Sequence, residues 1–273
     1  MTSIFISGHR LEYRMIEGAG DLATIVFLHE GLGSVELWRD FPGMVSAGTS
    51  HPALVYSRIG HGWSDPLPAA RQPGFMHHEA LVTLPALLDE LDVHQPILIG
   101  HSDGASIALI HAGAGDRDVS AMVALAPHVF VEAESIAGAD ASHRAFRETD
   151  MAQKMAKYHH DPGRTFFGWY DIWRSPEFRN WNIEGVLAGI NCPLLVVQGA
   201  DDEYGSVAQI EAIESGVAGN VERAWLSDCG HSPHLDQPET VVAATVDFIR
   251  RHDLDRARHQ GPERAVETQP VFE

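Results

Sequence analysis

Six short apolar runs, recurring along the chain with helix-like stretches between them, constrain the fold more than any other feature. They are Ala23–Leu28, Ala53–Ser57, Pro96–Ile99, Ser120–Leu125, Pro193–Val197 and Val221–Leu226. Each is short, and most are rich in valine, isoleucine or leucine, the signature of a strand buried on both faces. A hairpin is expected before them, Ser3–Ser7 and Leu11–Glu17 with a turn at Gly8–His9. The stretches between suit helices: Phe75–Leu91, Ser102–His111, Val207–Ser215 and Pro238–Arg251. In Phe75–Leu91 the residues Leu81, Leu84, Leu87, Leu88 and Leu91 stand three and four apart, giving one apolar stripe. Strand–helix alternation predicts a mostly parallel sheet covered by helices on both faces. In such sheets ligands bind beyond the carboxyl ends of the strands, so the residues after each run are where chemistry belongs.

Composition supports a globular chain and narrows its partners. The 273 residues are 44% apolar and carry a net charge of −19. That acidity suits neither nucleic acid nor an anionic membrane, and no apolar run is long enough to span a bilayer. The N-terminus shows no basic, apolar leader. A small-molecule substrate is the expected partner, and assembly into a homo-oligomer stays open. Cys192 and Cys229 read as reduced thiols in a cytoplasmic protein.

Residues 128–187 break the alternation. A structureless stretch of that length is uncommon in a compact domain. Helical content over Ser142–His160 and the aromatics Phe166, Phe167, Trp169, Trp173, Phe178 and Trp181 make it an inserted helical cap. The expected organisation is a core of residues 1–127 and 188–252, a cap of 128–187, and a polar tail of 253–273.

Gly100-His101-Ser102-Asp103-Gly104 sits between a strand and a helix. A G-x-S-x-G turn is sharp enough to strain its central residue and lift the hydroxyl above the sheet. Glycines two positions either side remove collisions with neighbouring backbone. Ser102 is therefore the candidate nucleophile. A serine needs a base, and the base an orienting acid. After the strand Pro193–Val197 come Asp201 and Asp202, and after Val221–Leu226 come His231 and His234. His231 is the candidate base and Asp202 the candidate acid, with His234 and Asp201 as their rivals. His231 and His234 lack the further ligands a metal would need, so no metal is expected. The oxyanion donors fall to the backbone N–H of Asp103 and of Gly31, with Leu32 as the alternative, from the loop His29-Glu30-Gly31-Leu32-Gly33.

Taken in order, these motifs resemble the α/β-hydrolase family over roughly residues 3–252. The set includes Arg58-Ile59-Gly60-His61-Gly62-Trp63-Ser64-Asp65 and Gly230-His231-Ser232-Pro233-His234. The resemblance implies an eight-stranded sheet, a cap after strand six, a Ser102–His231–Asp202 triad, and no cofactor. Haloalkane dehalogenases and epoxide hydrolases of this fold carry aspartate where this chain has Ser102. Two departures stand out. Glu30 replaces a glycine common in relatives and is expected to point away from the site, a substrate-facing role being the alternative. Asp103 replaces a hydrophobic residue, and its carboxylate is expected to turn outward. Arg58 and His61 are read as bracing the oxyanion loop. Trp169, Trp173 and Trp181 are candidate substrate contacts, and the cap histidines His128, His143, His159 and His160 are read as structural or solvated.

The expected activity is hydrolysis of a small ester or thioester through an acyl-enzyme. Two alternatives use the same triad: C–C cleavage of a vinylogous diketone, or peptide cleavage after an N-terminal residue. The peptidase alternative would draw on the cap acids Glu132, Glu134 or Glu148.

Overall fold

The computed structural model describes residues 2–260. Among these, one sheet has eight strands: β1 (Thr2–Ile6), β2 (His9–Ile16), β3 (Ile25–Leu28), β4 (Ala53–Tyr56), β5 (Ile97–His101), β6 (Ala121–Leu125), β7 (Leu194–Gly199) and β8 (Val221–Leu226). Their spatial order is β1-β2-β4-β3-β5-β6-β7-β8. Only β2 runs against its neighbours; β4, β3, β5, β6, β7 and β8 pair in parallel. The hairpin turn lies at Ser7–Gly8, one residue earlier than expected. Both residues have positive φ (50° and 84°), the geometry whose twist matches the flanking strands.

The period of two in the central strands sorts their side chains onto two cores. Val26, Leu28, Leu54, Leu98, Met122 and Val196 join one cluster; Ile25, Phe27, Val55, Ile99, Val123 and Val197 join the other. A register slip of one residue would exchange the two sets. The second cluster is closed by α1 (Phe41–Thr49) through Phe41 and Val45. The first cluster is covered by a broken helix. α2 (Phe75–His78) leads into a π turn, Glu79–Thr83, and then α3 (Leu84–Glu90). Pro85 has no N–H and crowds the carbonyl four residues back, which explains why the regular ladder gives way there. The π turn rotates the expected stripe: Leu84, Leu87 and Leu88 are buried, whereas Leu81 is 38% exposed.

α4 (Asp103–Ala114) follows β5 at once and is buried from Asp103 to His111. Between β6 and β7 stand α5 (Ala133–Glu148), α6 (Met151–Met155), α7 (Pro162–Arg174) and α8 (Glu184–Leu187). α9 (Val207–Gly216) links β7 to β8, and the short α10 (Pro233–Asp236) precedes α11 (Pro238–Gln260). α11 supplies Phe248 and Ile249 to the second core. It continues past Arg251, so residues 253–260 carry helical backbone; the rest of the expected polar tail, 261–273, lies outside the described residues. Among the described residues no helix is long and apolar enough to cross a membrane.

Candidate active site

Because β3 and β5–β8 run parallel, their carboxyl ends bring five distant loops to one edge. Ser102 lies between β5 and α4 with φ 52° and ψ −119°, a strained backbone that costs on the order of 1–3 kcal/mol. Its neighbours make that turn possible. A Cβ on Gly104 would collide with the carbonyls of Leu28 and His29, and one on Gly100 with the backbone of Gly104 and Ala105. The strained peptide is anchored by the Ser102 N–H, which donates to Leu125 O at 2.9 Å.

Ser102 Oγ is 2.9 Å from His231 Nε2, and His231 Nδ1 is 2.8 and 2.9 Å from the two oxygens of Asp202. The Asp202 side chain is 2% exposed and that of His231 10%. Gln198 Nε2 and the backbone N–H groups of Tyr204 and Gly205 also donate to the Asp202 carboxylate. Burial alone would raise this carboxyl's pKa. The hydrogen bond and charge of His231 and the Tyr204 N–H outweigh burial and hold it at about 2. Asp201 is exposed, its N–H bound to Cys229 O. His234 is buried against Trp38 and Phe41, with ring centroids 4.9 and 5.5 Å away, and its pKa is pushed down to about 3, mainly by burial.

The loop after β3 is held by its carbonyls. Arg58 is fully buried; its guanidinium donates to His29 O and, at 2.9 Å, to Glu30 O. His29 Nδ1 lies 2.7 Å from Glu30 O, so that nitrogen carries the proton, and Nε2 accepts from the Arg58 N–H at 3.0 Å. His61 Nε2 meets Gly31 O, and His159 Nε2 meets Leu32 O, each at 2.9 Å. Burial drives the pKa of all three imidazoles down, and the Arg58 charge adds to this for His29 and His61. The rings therefore stay neutral and able to hold one fixed proton each. In a trans peptide the N–H points opposite to the C=O. Fixing the carbonyls of Glu30 and Gly31 thus aims the N–H groups of Gly31 and Leu32 away from these anchors. Gly31 and Leu32 line the same cavity as Ser102. The first N–H groups of α4, beginning at Asp103, have no acceptor within their own helix.

A family model described as the alpha/beta hydrolase family matches residues 25–244. The chain belongs to the alpha/beta hydrolase family. Solved structures share this fold. An enol-lactonase from Burkholderia xenovorans LB400 superposes with a TM-score of 0.71 at 17% identity, covering 91% of this chain and 100% of that one. A haloalkane dehalogenase DbeA variant from Bradyrhizobium elkanii gives 0.76 at 17% identity, covering 94% and 98%. A meta-cleavage product hydrolase from Pseudomonas fluorescens IP01 gives 0.73 at 14% identity, covering 92% and 98%. No curated protein matches the sequence.

In this alpha/beta hydrolase a cavity of about 210 Å³ opens over Ser102 and His231. Two expectations need correcting. The Asp103 carboxylate does not turn outward: the residue is 2% exposed and accepts from Trp173 Nε1 at 3.2 Å. Burial raises its pKa, opposed by the charges of Arg58 and Arg71. Those charges beneath the elbow make an inward carboxylate tolerable, which the residue type alone does not reveal. Glu30 does not point away either: it lines the cavity, 3.6 Å from His101 Nδ1. Burial would raise its pKa, and the imidazoles of His101 and His234 outweigh that and hold it at about 2.

Of the three candidate tryptophans, Trp169 and Trp173 line the cavity, and the Trp169 indole lies against the Cα of Gly31. Trp181 stacks on Phe178, with centroids 5.2 Å apart, and faces Trp173 rather than the cavity lining. His128 lines the cavity, His143 stacks on Tyr170, and the His160 N–H donates to Gly62 O. Tyr204 and Ser135 line it as well and went unnoticed in the sequence. Tyr204 stands only two residues past Asp202, a position that the strand-end pattern itself marks. Ser135 gave no local signal. Among the described residues no group of three or more His, Cys, Asp or Glu is placed to hold a metal ion.

Proposed function

We propose that this protein is a cytoplasmic serine hydrolase cleaving a small carboxylic ester or thioester through an acyl-enzyme. The observation that carries this reading is the unbroken chain Asp202–His231–Ser102, with contacts of 2.8 and 2.9 Å, whose Ser102 and His231 line a cavity. Asp202 fixes the proton on His231 Nδ1, leaving Nε2 to accept the Ser102 proton as Oγ attacks the acyl carbon. The N–H groups of Asp103 and Gly31 receive the oxyanion. His231 returns its proton to the leaving oxygen or sulfur, then draws one from water. The water oxygen attacks the acyl carbon, and the Ser102 oxygen leaves with the proton from His231. Helices α5–α8 act as the cap that excludes bulk water from this step.

The peptidase alternative loses some support. Glu132 is spent on Ser206 and Gln209, and Glu134 and Glu148 are exposed. The test is Ser102→Ala with p-nitrophenyl butyrate and a fluorophosphonate probe. Turnover and labelling should both vanish while the circular dichroism spectrum is retained. Undiminished turnover in the variant would refute the assignment.

A further inference from the structure

Beside Ser102 the cavity holds a carboxylate, Glu30, and an unpartnered imidazole nitrogen, His101 Nδ1. His101 Nε2 lies 2.7 Å from the backbone oxygen of His231. A carbonyl only accepts, so that nitrogen donates to it. His101 Nδ1 is buried, in a side chain 1% exposed, and lies 3.6 Å from Glu30 Oε2. That separation is too long for a hydrogen bond. A donor brought by a ligand would give the Glu30 carboxylate a hydrogen bond of normal length.

The rest of the cavity points the same way. Ser135 Oγ and His128 Nδ1, in residues each 2% exposed, are buried without partners and belong to its lining. Unsatisfied buried polar atoms at a site call for a polar ligand. The charged residue besides Glu30 in that lining is another carboxylate, Glu203, and among the described lining residues there is no lysine or arginine. The indoles of Trp169 and Trp173 add ring faces, which attract cations. Every fixed charge and ring facing the ligand therefore favours positive over negative.

We propose that the Glu30 carboxylate binds a protonated amine carried by the substrate next to its scissile carbonyl, so that the site selects cationic amino esters. This rests on the serine-hydrolase reading above and specifies its substrate class. It also gives a reason for a carboxylate on the oxyanion loop: the charge that would repel an oxyanion is cancelled when the ammonium arrives.

The experiment uses three benzyl esters of nearly equal shape: alanine (cationic), isobutyrate (neutral) and methylmalonate (anionic). Each kcat/KM is divided by the rate of the same ester with hydroxide, which removes intrinsic reactivity. Wild type should prefer alanine over isobutyrate by about tenfold or more, the scale of one hydrogen bond to a charged group, and should turn over methylmalonate least. Glu30→Gln should reduce the alanine-to-isobutyrate ratio by about tenfold, and Glu30→Asp, one methylene shorter, by about threefold. Fluorophosphonate labelling of Ser102 reports which variants are folded, and either variant suffices. A wild type without preference, or a ratio unchanged in the folded variant, overturns the proposal and leaves the serine-hydrolase reading standing; it would mean that an imidazolium at His101 already satisfies Glu30. If no ester is cleaved and Ser102 is not labelled, the reading itself falls, and the proposal with it.

Discussion

Replacing Asp202 by asparagine isolates what its carboxylate does. Asp202 Oδ1 accepts from the N–H groups of Tyr204 and Gly205, so the asparagine oxygen must stay there. The amide nitrogen then takes the place of Oδ2, facing Gln198 Nε2. Gln198 can turn over, because its Oε1 is buried without a partner and can accept from the new N–H. The fold is therefore expected to survive. The new N–H also faces His231 Nδ1, which turns from donor to acceptor and forces the ring proton onto Nε2, beside Ser102. The hydroxyl loses its base. A triad carboxamide of this kind costs about 10⁴ in kcat, roughly 5.5 kcal/mol of barrier at 1.36 kcal/mol per decade. Asp201→Asn, at an exposed position, should stay within about threefold of wild type, as surface substitutions do. The assay is p-nitrophenyl butyrate hydrolysis at pH 8, with Tm measured on both variants. A folded Asp202→Asn retaining more than about a tenth of kcat, or equal losses at both positions, would refute the reasoning.

Other expectations follow from the same geometry. Gly104→Ala should destabilise the protein by about 3 kcal/mol or abolish soluble expression, since its Cβ meets the backbone of Leu28 and His29; chemical denaturation reads this directly. His61→Leu removes the donor to Gly31 O, the carbonyl of the peptide that carries the Leu32 N–H, and should lower kcat by about 10-fold, more than it raises KM, as expected for an interaction that aims an oxyanion donor. Trp173→Phe leaves the buried Asp103 carboxylate without the indole N–H and should cost about 1–3 kcal/mol in stability. Acid should loosen the fold early. The folded-state pKa values of His128 and His234 are pushed down to about 3, mainly by burial, below the 6.5 of an unperturbed ring. The unfolded chain then binds more protons as pH falls below about 6.5, and stability is lost toward pH 3. Asp202, held at about 2 against 3.8, adds a further loss below about pH 4. A Tm unchanged between pH 7 and pH 5 would contradict this.

Much of the site was legible because the fold forces each functional residue to follow a strand. Flanking glycines and a place between a strand and a helix make Ser102 a candidate from sequence alone. Position after the strands β7 and β8 does the same for Asp202 and His231, and the fold brings the three within hydrogen-bonding distance. The directions of side chains were harder. Asp103 and Glu30 both turn inward because of partners far off in sequence: Trp173 for one, His101 and His234 for the other. Trp169 and Trp181 are indistinguishable as letters, and only packing puts one over Gly31 and the other on Phe178. The π turn had a visible cause in Pro85, inside an otherwise helical pattern. His159 meets Leu32 across 127 positions, which no local pattern encodes.

That last contact bears on how such a protein can diversify. His159 accepts from the Gly62 N–H and donates to Leu32 O, joining the segment between β6 and β7 to two loops that follow β3 and β4. If residues 128–187 act as a cap, that cap is expected not to be a detachable module. A graft from a relative lacking this imidazole would arrive with its own substrate contacts yet leave the host's loop after β3 without its anchor at Leu32 O. Evolution in this lineage is expected to move by point changes on the insertion's inner wall before it exchanges the segment whole.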